Sequence, residues 1–308
     1  MIHLLYASII LVAFFFIKTN NMKNIVVTGA SSGIGLAIVE IFLKKGFRVF
    51  GSVRTERDAE RLKTSLGEHF VPLIFDVKDN AAILKAADFV KKTINTEGVA
   101  LLVNNAGVAI TGPLQHIDNE EFIEQFNINV FGVQRVTQAF LPMMGATFNK
   151  DVPKGKIIQI SSVSALISQP FVGPYCASKA ALESYNDALR RELALFGIKV
   201  VSIQPGPVKT PIWDKARNNT NLYPETEYAP ILKISKASID LTEKQGVSVE
   251  SVAQLAFDIY EKRNPKPHYM ISSTNFIIKL IAALPTRWVD KIMAGQLKNA
   301  LQGKPMKL

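Results

Sequence analysis

Tyr175 and Lys179, four residues apart, are the two side chains in this sequence whose types and spacing best suit chemistry. The pattern from 174 to 193 is helical, and residues four apart share one face of a helix. A free tyrosine titrates near pH ~10, and a fixed ammonium beside it favours the phenolate. We therefore expect a lowered pKa for Tyr175, which would let it exchange a proton with an alcohol or ketone. An ordinary amphipathic helix is the alternative, since the pair alone is a common pattern.

A glycine-rich turn in the first half of the chain predicts a nucleotide site. The turn, TGASSGIG at 28–35, follows a short apolar strand at 25–27 and precedes a helix that extends through Glu40 to Lys44. Glycines let the backbone turn tightly and approach a pyrophosphate, which then binds at the N-terminus of the helix. The spacing is G-x-x-x-G-x-G rather than the general G-x-G-x-x-G, but the strand–turn–helix setting supports a dinucleotide.

The residue that follows the second strand predicts which dinucleotide binds. An acidic side chain there would bind a ribose 2′-hydroxyl, whereas a basic one accommodates a 2′-phosphate. Arg54 follows the strand end at 51–53, and its planar guanidinium suits phosphate. We therefore expect NADP(H) rather than NAD(H). A solvated surface arginine is the alternative, because residues 56–58 are also charged.

Alternating strands and helices predict the fold. Further apolar strands are expected at 70–77, which contains Asp76, and at 99–107, which ends in Asn-Asn-Ala-Gly. Such alternation predicts an α/β protein with a doubly wound parallel sheet, Rossmann-like and built as a single domain. Ligands of such sheets bind at the carboxyl ends of the strands. The glycine turn, Arg54, Asp76 and the Asn-Asn-Ala-Gly turn all fall at that edge.

Seven short motifs occur together in one order, and in that order they resemble the short-chain dehydrogenase/reductase family, in its main Gly-x-x-x-Gly-x-Gly branch. The resemblance covers roughly residues 23 to 215. The motifs are TGASSGIG at 28–35, DV at 76–77, NNAG at 104–107, NINVFG at 127–132, ISS at 160–162, YCASK at 175–179 and PGPVKT at 205–210.

The resemblance implies a catalytic tetrad. Tyr175 matches the family's acid/base, and Lys179 matches the residue that lowers the tyrosine pKa and binds the nicotinamide ribose. Ser162 matches the hydroxyl that orients the substrate oxygen, and Asn129 matches a helix residue that supports a water linking the lysine to solvent. Ser161 is the alternative serine; neighbours in a strand point to opposite faces, so only one of the two should reach the substrate.

The resemblance also implies which residues contact the cofactor, and it implies a homodimer paired through the helices that carry Asn129 and Tyr175. A metal is not expected. The cofactor-binding set is Gly29, Ser31, Ser32, Gly33, Ile34, Gly35, Arg54, Asp76, Val77, Asn104, Ala106, Gly107, Tyr175, Lys179, Pro205, Gly206, Val208 and Thr210. Ser32 stands where some NADP-preferring relatives have a second basic residue, so the cofactor prediction rests on Arg54.

The region after Thr210 matches the family only loosely. Residues 211–246 mix apolar and polar residues and would cover the substrate as a lid; ordinary packing of its aromatic residues is equally compatible with the sequence. At the C-terminal end, 276–284 is apolar but too short to span a bilayer. The segment 287–301 places an apolar stripe beside lysines, which suits either a membrane interface or a core contact.

The N-terminus begins with an almost wholly apolar run. A helix over residues 2–17 would be about 24 Å long, slightly short of a bilayer core. Lysines follow at 18 and 23, so we expect a membrane anchor with the catalytic domain on the cytosolic side. A start of translation at Met22, which would make the protein cytoplasmic, is the alternative. The division expected is therefore 1–21 anchor, 22–273 catalytic domain and 274–308 C-terminal extension.

Composition sets broader limits. With 36 basic and 26 acidic residues the net charge is +10, but no nucleic-acid motif accompanies it, so no nucleic-acid partner is expected. The single cysteine, Cys176, excludes an intramolecular disulfide, and we interpret it as a small apolar residue rather than a catalytic one. We expect an oxidoreductase for an alcohol/carbonyl pair, with a lipophilic small-molecule substrate such as a steroid, retinoid or other lipid. A catalytically silent NADP(H)-binding scaffold or redox sensor is the alternative.

Overall fold

A computed structural model of the protein describes residues 23–149, 153–214 and 223–304. The strands are β1 (Asn24–Val27), β2 (Arg48–Val53), β3 (Phe70–Ile74), β4 (Val99–Asn104), β5 (Lys156–Ile160), β6 (Lys199–Pro205) and β7 (His268–Ile271). The helices are α1 (Gly33–Lys44), α2 (Glu56–Leu66), α3 (Asn80–Ile94), α4 (Asn119–Phe126), α5 (Val133–Phe140), α6 (Gly173–Leu193), α7 (Ala229–Lys244), α8 (Val249–Glu261), α9 (Asn275–Ala283) and α10 (Thr286–Leu301).

The strands form one parallel sheet in the order β3-β2-β1-β4-β5-β6-β7. The chain moves outward from β1 to β3, then returns to the other side of β1 with β4 and moves outward to β7. This change of direction between β1 and β4 leaves a crevice at the carboxyl ends of the strands, where ligands of such sheets bind. The predicted doubly wound α/β sheet is therefore confirmed.

Two apolar layers hold helices to the two faces of the sheet, because a strand buried on both sides sends alternate side chains to each. In β4, Leu101 and Val103 join the layer that contains α1 and α8. Leu102 points the other way and joins the layer that contains α3, α5 and α6. The sheet is thus fixed from both sides, and its polar strand ends are left to form the site.

The third strand is shorter than the sequence suggests, ending at Ile74 rather than at residue 77. The backbone turns at Asp76, whose carboxylate accepts a hydrogen bond from the Lys78 amide at 2.9 Å. The Asp76 carbonyl also accepts from the Asp79 amide at 3.0 Å. A side chain that bonds the backbone two residues on favours a turn over a continued strand.

The two terminal regions of the chain bear on the membrane prediction. The expected anchor at 1–21 lies outside the residues that the structure describes. None of the helices in the described part of the chain combines the length and the hydrophobicity that crossing a bilayer requires. The short C-terminal helix α9 has no buried residue, whereas α10 packs against α7 of the predicted lid segment.

Candidate active site

The first turns of α6 bring the predicted tyrosine and lysine together at the carboxyl end of β5. The Lys179 side chain is buried, and its Nζ donates a hydrogen bond to the Ile160 carbonyl at 2.8 Å. The same Nζ lies 5.7 Å from the centre of the Tyr175 ring. The predicted pairing on one helix face is therefore present, and it meets the sheet at the ligand-binding edge.

The predicted lowering of the Tyr175 pKa is wrong for this arrangement. Burial raises the pKa of Tyr175 to about 12, and a hydrogen bond with the Ser162 hydroxyl offsets only part of that rise. Burial also lowers the pKa of Lys179 to about 8, against the opposing effect of the Glu183 carboxylate. The pattern argument counted the lysine charge and left out the loss of solvent around both groups, which is the larger effect here.

Of the two candidate serines, Ser162 lies next to Tyr175. Its hydroxyl contacts the phenol and also accepts a hydrogen bond from the Ser164 amide at 3.1 Å. The Ser161 hydroxyl is buried and has no hydrogen-bond partner within the residues described. Alternation along the strand end thus separates the two hydroxyls, as expected.

Asn129 lies in a π-helical stretch, Asn127–Gly132, between α4 and α5. Its amide bonds both the N–H and the C=O of Val108 at 3.0 Å, and its Nδ2 also donates to Ser178 Oγ at 3.1 Å. A Cβ on Gly107 would lie 3.2 Å from Asn129 Oδ1 and 3.8 Å from Lys179 Nζ. Asn129 and Lys179 therefore face the same small volume, with Gly107 between them.

The glycine turn requires the absence of side chains. Gly29 and Gly33 have φ of 67° and 58°, a region that residues with a Cβ rarely adopt. A Cβ on Gly35 would lie 2.1 Å from the Gly29 carbonyl oxygen. A Cβ on Gly33 would instead meet the side chain of Thr210 at 3.4 Å, so the predicted PGPVKT segment lies across this turn.

Asn105 was absent from the predicted site residues, yet it joins β4 to the glycine turn. Its Nδ2 donates to the carbonyls of Thr28 and Gly29 at 3.0 and 3.1 Å, and its amide donates to the Thr28 hydroxyl at 2.9 Å. The predicted neighbour Asn104 points away instead, donating to Thr137 Oγ1 at 3.0 Å beneath the sheet. Strand alternation across the Asn-Asn pair could have separated the two roles.

Basic side chains lie where a 2′-phosphate is expected. Arg54 is exposed beyond the end of β2, and it makes no ion pair within the residues described. Arg61, on α2, donates to the Ser31 carbonyl at 3.0 Å and pairs with Asp58. Arg61 thus brings a second guanidinium to the glycine turn, which the sequence pattern did not reveal because α2 had to be placed first.

The remaining residues predicted to contact the cofactor lie in the glycine turn or at and just beyond the carboxyl ends of strands. Val77 is buried and lies against Gly132. A Cβ on Gly132 would lie 2.8 Å from the Val77 side chain. The Gly206 amide donates a hydrogen bond to the Ile271 carbonyl at 2.8 Å, which ties the end of β6 to β7.

The other members of the predicted set have simple positions. Ser31, Ser32 and Ile34 belong to the glycine turn. The Ala106 amide donates a hydrogen bond to the Thr28 hydroxyl, and Pro205 ends β6. Val208 is buried, and its carbonyl accepts from Trp213 Nε1 at 2.7 Å.

The sequence profile of the short chain dehydrogenase family matches residues 23–221. The chain belongs to this family. Membership confirms the predicted resemblance and makes the protein an oxidoreductase.

Three known proteins show how far the similarity extends. The NADPH-dependent 3-dehydrocapnine reductase of Ornithobacterium rhinotracheale is 43% identical over 283 residues, covering 91% of this chain and 99% of that protein. Human retinol dehydrogenase 16 is 34% identical over 196 residues, covering 63% and 60% of the two chains. A solved actinorhodin polyketide ketoreductase variant with NADPH is 26% identical, with a TM-score of 0.67 over 81% of this chain and 95% of that one.

For this short-chain dehydrogenase, the crevice fits a dinucleotide by its own geometry. The turn between β1 and α1 leaves backbone where side chains would collide, and it opens onto the first turn of α1, which carries no acidic residue. Backbone N–H groups at a helix start favour a phosphate. Arg54 and Arg61 add positive charge on the side of β2. The residues present therefore suit a phosphate-bearing nucleotide.

Cys176, beside Tyr175, does not share in this arrangement. The thiol is buried, and burial raises its pKa, so the reactive thiolate is disfavoured. The structure agrees with the interpretation of this residue as a small packing group.

Proposed function

We propose that this short-chain dehydrogenase reduces the carbonyl group of a lipophilic substrate with NADPH. The observation that carries this reaction type is the Tyr175 phenol, which lies buried against the Ser162 hydroxyl with Lys179 Nζ 5.7 Å from its ring centre. The direction is proposed from the bacterial relative, which is an NADPH-dependent reductase. The pKa of Tyr175, raised to about 12, keeps the phenol protonated at neutral pH, so that it serves as a proton donor. Carbonyl reduction needs such a proton donor at the substrate oxygen, and in the reverse reaction the same group would act as the base.

The proposed mechanism assigns one task to each side chain. Ser162 and Tyr175 hold the substrate oxygen between their hydroxyls, which polarises the carbonyl. As negative charge develops on that oxygen, the proton of Tyr175 moves to it and leaves a phenolate. The Lys179 ammonium stabilises the phenolate. The Asn129 amide fixes the backbone at Val108, beside the space through which a proton would return to Tyr175. The hydride for the carbonyl carbon would come from NADPH when it is bound.

Two lines support NADP(H) as the cofactor. The bacterial relative is named as an NADPH-dependent enzyme, and the polyketide ketoreductase was solved with NADPH. In the chain itself, Arg54 and Arg61 supply guanidinium groups near the glycine turn, and the end of β2 offers no carboxylate for a ribose 2′-hydroxyl.

An apolar substrate is favoured by a cluster of aromatic residues that includes Phe171, two residues before the start of α6. His116, Phe171 and Tyr228 come from three different segments, with ring centres 6.0 Å apart for His116 and Tyr228 and 5.7 Å apart for Phe171 and Tyr228. Tyr223 contacts His116 at 6.3 Å. Phe171 precedes Tyr175 by four residues in the chain, so the segment that leads into α6 carries one member of the cluster. It could contact the apolar part of a substrate.

We also propose that the protein lies on a membrane through α9 and α10. Phe276 is 78% exposed and Trp288 is 61% exposed, and Ile277 and Leu280 are also exposed. Cationic side chains flank them and would face anionic lipid headgroups. These cations are Lys279, Arg287, Lys291 and Lys298. A lipid substrate would reach the site from such a surface.

A homodimer paired through α4, α5 and α6 is proposed as well. Ile123, Phe131 and Leu195 are large apolar side chains exposed on or beside these helices, at 62%, 52% and 73%. Burial of such residues against a second copy would stabilise the pair. Light scattering at twice the 34.0 kDa chain mass is expected, and a monomer mass would contradict the proposal.

Replacing Tyr175 by Phe should remove turnover while NADPH still binds, because the ring packing survives and only the proton donor is lost. We expect at least a 10³-fold loss of NADPH oxidation, within the range for general acid catalysis combined with oxygen positioning. Activity is followed by nicotinamide absorbance with 3-dehydrocapnine, retinal and smaller polar ketones. Cys176→Ser serves as a neighbouring control that should stay active.

The Tyr175 experiment has two contrary outcomes. Undiminished turnover by Tyr175→Phe would show that another group donates the proton. A wild-type protein that binds NADPH and turns over none of the carbonyls would favour the scaffold or redox-sensor alternative.

Replacing Arg54 by Ala should weaken NADPH binding selectively, because a 2′-phosphate loses a charge-assisted contact that NADH never makes. A loss of about tenfold or more in NADPH affinity is expected, with NADH affinity unchanged. Fluorescence titration of both nucleotides measures this, and Arg57→Ala is the control for a neighbouring positive charge. Equal weakening of both nucleotides would contradict the assignment.

The two tryptophans of the chain allow a direct test of membrane contact. In Trp213→Phe, only Trp288 remains, and vesicles of anionic lipid with brominated acyl chains should quench its fluorescence if α10 enters the interface. The converse variant, Trp288→Phe, retains Trp213, which is half-buried against Val208, and should not be quenched. Vesicle binding of the full chain without quenching of Trp288 would show that α9 and α10 are not the contact.

A further inference from the structure

Phe171, two residues before the start of α6, has a backbone conformation that is rare for its residue type. Its φ is 68°, in the left-handed region, where a bulky side chain is an outlier. Among the described residues other than glycine, only Asn95 shares a positive φ, and asparagine tolerates that region better. Such a conformation persists only where surrounding contacts hold it, and strain of this kind clusters at functional elements.

The loop that follows β4 holds the backbone at this point. The Phe171 carbonyl accepts a hydrogen bond from the Gly112 amide at 2.7 Å. Two residues further along the loop, the Leu114 side chain covers Gly173, since a Cβ on Gly173 would lie 2.7 Å from Leu114 Cδ2. The loop therefore contacts the chain just before α6 and again at the first residue of that helix.

The Phe171 ring faces the segment that leads into α7, within the region 211–246 that the sequence predicts to cover the substrate. It meets the Tyr228 ring with 5.7 Å between centres and 75° between planes, an edge-to-face geometry that aromatic pairs favour. Tyr228 directly precedes α7, and its ring also lies 6.0 Å from that of His116 on the loop after β4. Its hydroxyl lies 3.5 Å from Gln115 Oε1. The loop after β4, the entry to α6 and the start of α7 therefore meet around Phe171 and Tyr228.

The connection from Phe171 to the catalytic tyrosine is short and stiff. Pro174 fixes one backbone dihedral angle in the first turn of α6. The Cys176 amide donates a hydrogen bond to the Val172 carbonyl at 2.9 Å, which closes that turn. A change of the Phe171 backbone to the usual negative φ would redirect its ring and the path by which the chain enters α6. Tyr175 lies in this first turn and would move with it.

We propose that Phe171 is a positioning residue that couples the segment before α7 to Tyr175. Contact with the Tyr228 ring holds the Phe171 backbone in its left-handed conformation, and that conformation sets the position of the first turn of α6. Loss of the contact lets the backbone relax and shifts Tyr175 relative to Ser162. The proposal rests on the role of Tyr175 in the proposed function. It gives the region 211–246 a task besides contact with the substrate, because docking of its Tyr228 completes the position of the proton donor.

Phe171→Leu and Tyr228→Leu test the proposal, since each removes one ring of the pair and keeps an apolar side chain. Tyrosines labelled with ¹³C at Cζ are observed by NMR in the full chain, with the Tyr175 signal assigned by its loss in Tyr175→Phe. Each variant should shift the Tyr175 signal, and the double variant should shift it no further than the larger single shift, because both changes break the same contact. An unchanged Tyr175 signal, or shifts that add in the double variant, would overturn the proposal.

This readout needs no turnover, so its failure is distinct from failure of the proposed reaction. Where a carbonyl substrate is turned over, Phe171→Leu should also lower kcat by about tenfold or more and leave the KM for NADPH unchanged. A fall in thermal stability with an unchanged Tyr175 signal would show that the ring only packs, and would contradict the positioning role. Tyr228→Leu, which leaves the entry to α6 intact, keeps the test decisive if Phe171→Leu fails to fold.

Two further variants complete the comparison. Phe171→Tyr keeps the ring, so it should retain the wild-type Tyr175 signal and kcat; a shift as large as that of Phe171→Leu would contradict the ring contact. Phe276→Leu is the matched control, because it makes the same change at an exposed phenylalanine of α9. Its Tyr175 signal should equal that of the wild type, and an equal shift there would overturn the proposal.

Discussion

The contact between the Lys179 ammonium and the Ile160 carbonyl, 2.8 Å long, fixes where α6 meets the end of β5. A buried ammonium needs such an acceptor, because an unpaired charge in the interior is costly. The same contact sets the height of Tyr175 relative to the sheet edge and to Ser162. The catalytic geometry is therefore a consequence of how one buried charge is satisfied.

Around this contact, backbone-to-side-chain bonds join parts of the chain that are distant in sequence. Asn105 holds the glycine turn to the end of β4, and Asn129 holds the segment at Val108 that passes in front of Lys179. The side-chain amides of both asparagines form hydrogen bonds with backbone groups that a loop would otherwise leave unpaired. The crevice is thus shaped before any ligand enters, which reduces the ordering that binding requires.

The sheet, the glycine turn and the pairing of Tyr175 with Lys179 could be predicted because each depends on local patterns: apolar runs, positive φ and helical spacing. The direction of the shift in the Tyr175 pKa could not be predicted, because desolvation depends on everything that packs around α6. The contacts of Arg61 and Glu183 were not predicted for a similar reason. Arg61 reaches the Ser31 carbonyl only once α2 is in place, and Glu183 meets His268 only once β7 is in place. Asn105 is an intermediate case, since the Asn-Asn pair was recognised but the contact of Asn105 with the glycine turn was not predicted.

The central claim is that a protonated, buried tyrosine beside a charged lysine drives carbonyl reduction. Tyr175 keeps its proton up to high pH, so the charge of Lys179, whose pKa is about 8, should set the alkaline limit. Single-turnover NADPH oxidation by the wild type, measured from about pH 6 to 10, tests this most directly. The account predicts a fast rate at low pH that falls as the pH rises through about 8. A rate that stays level or increases across that range would contradict it.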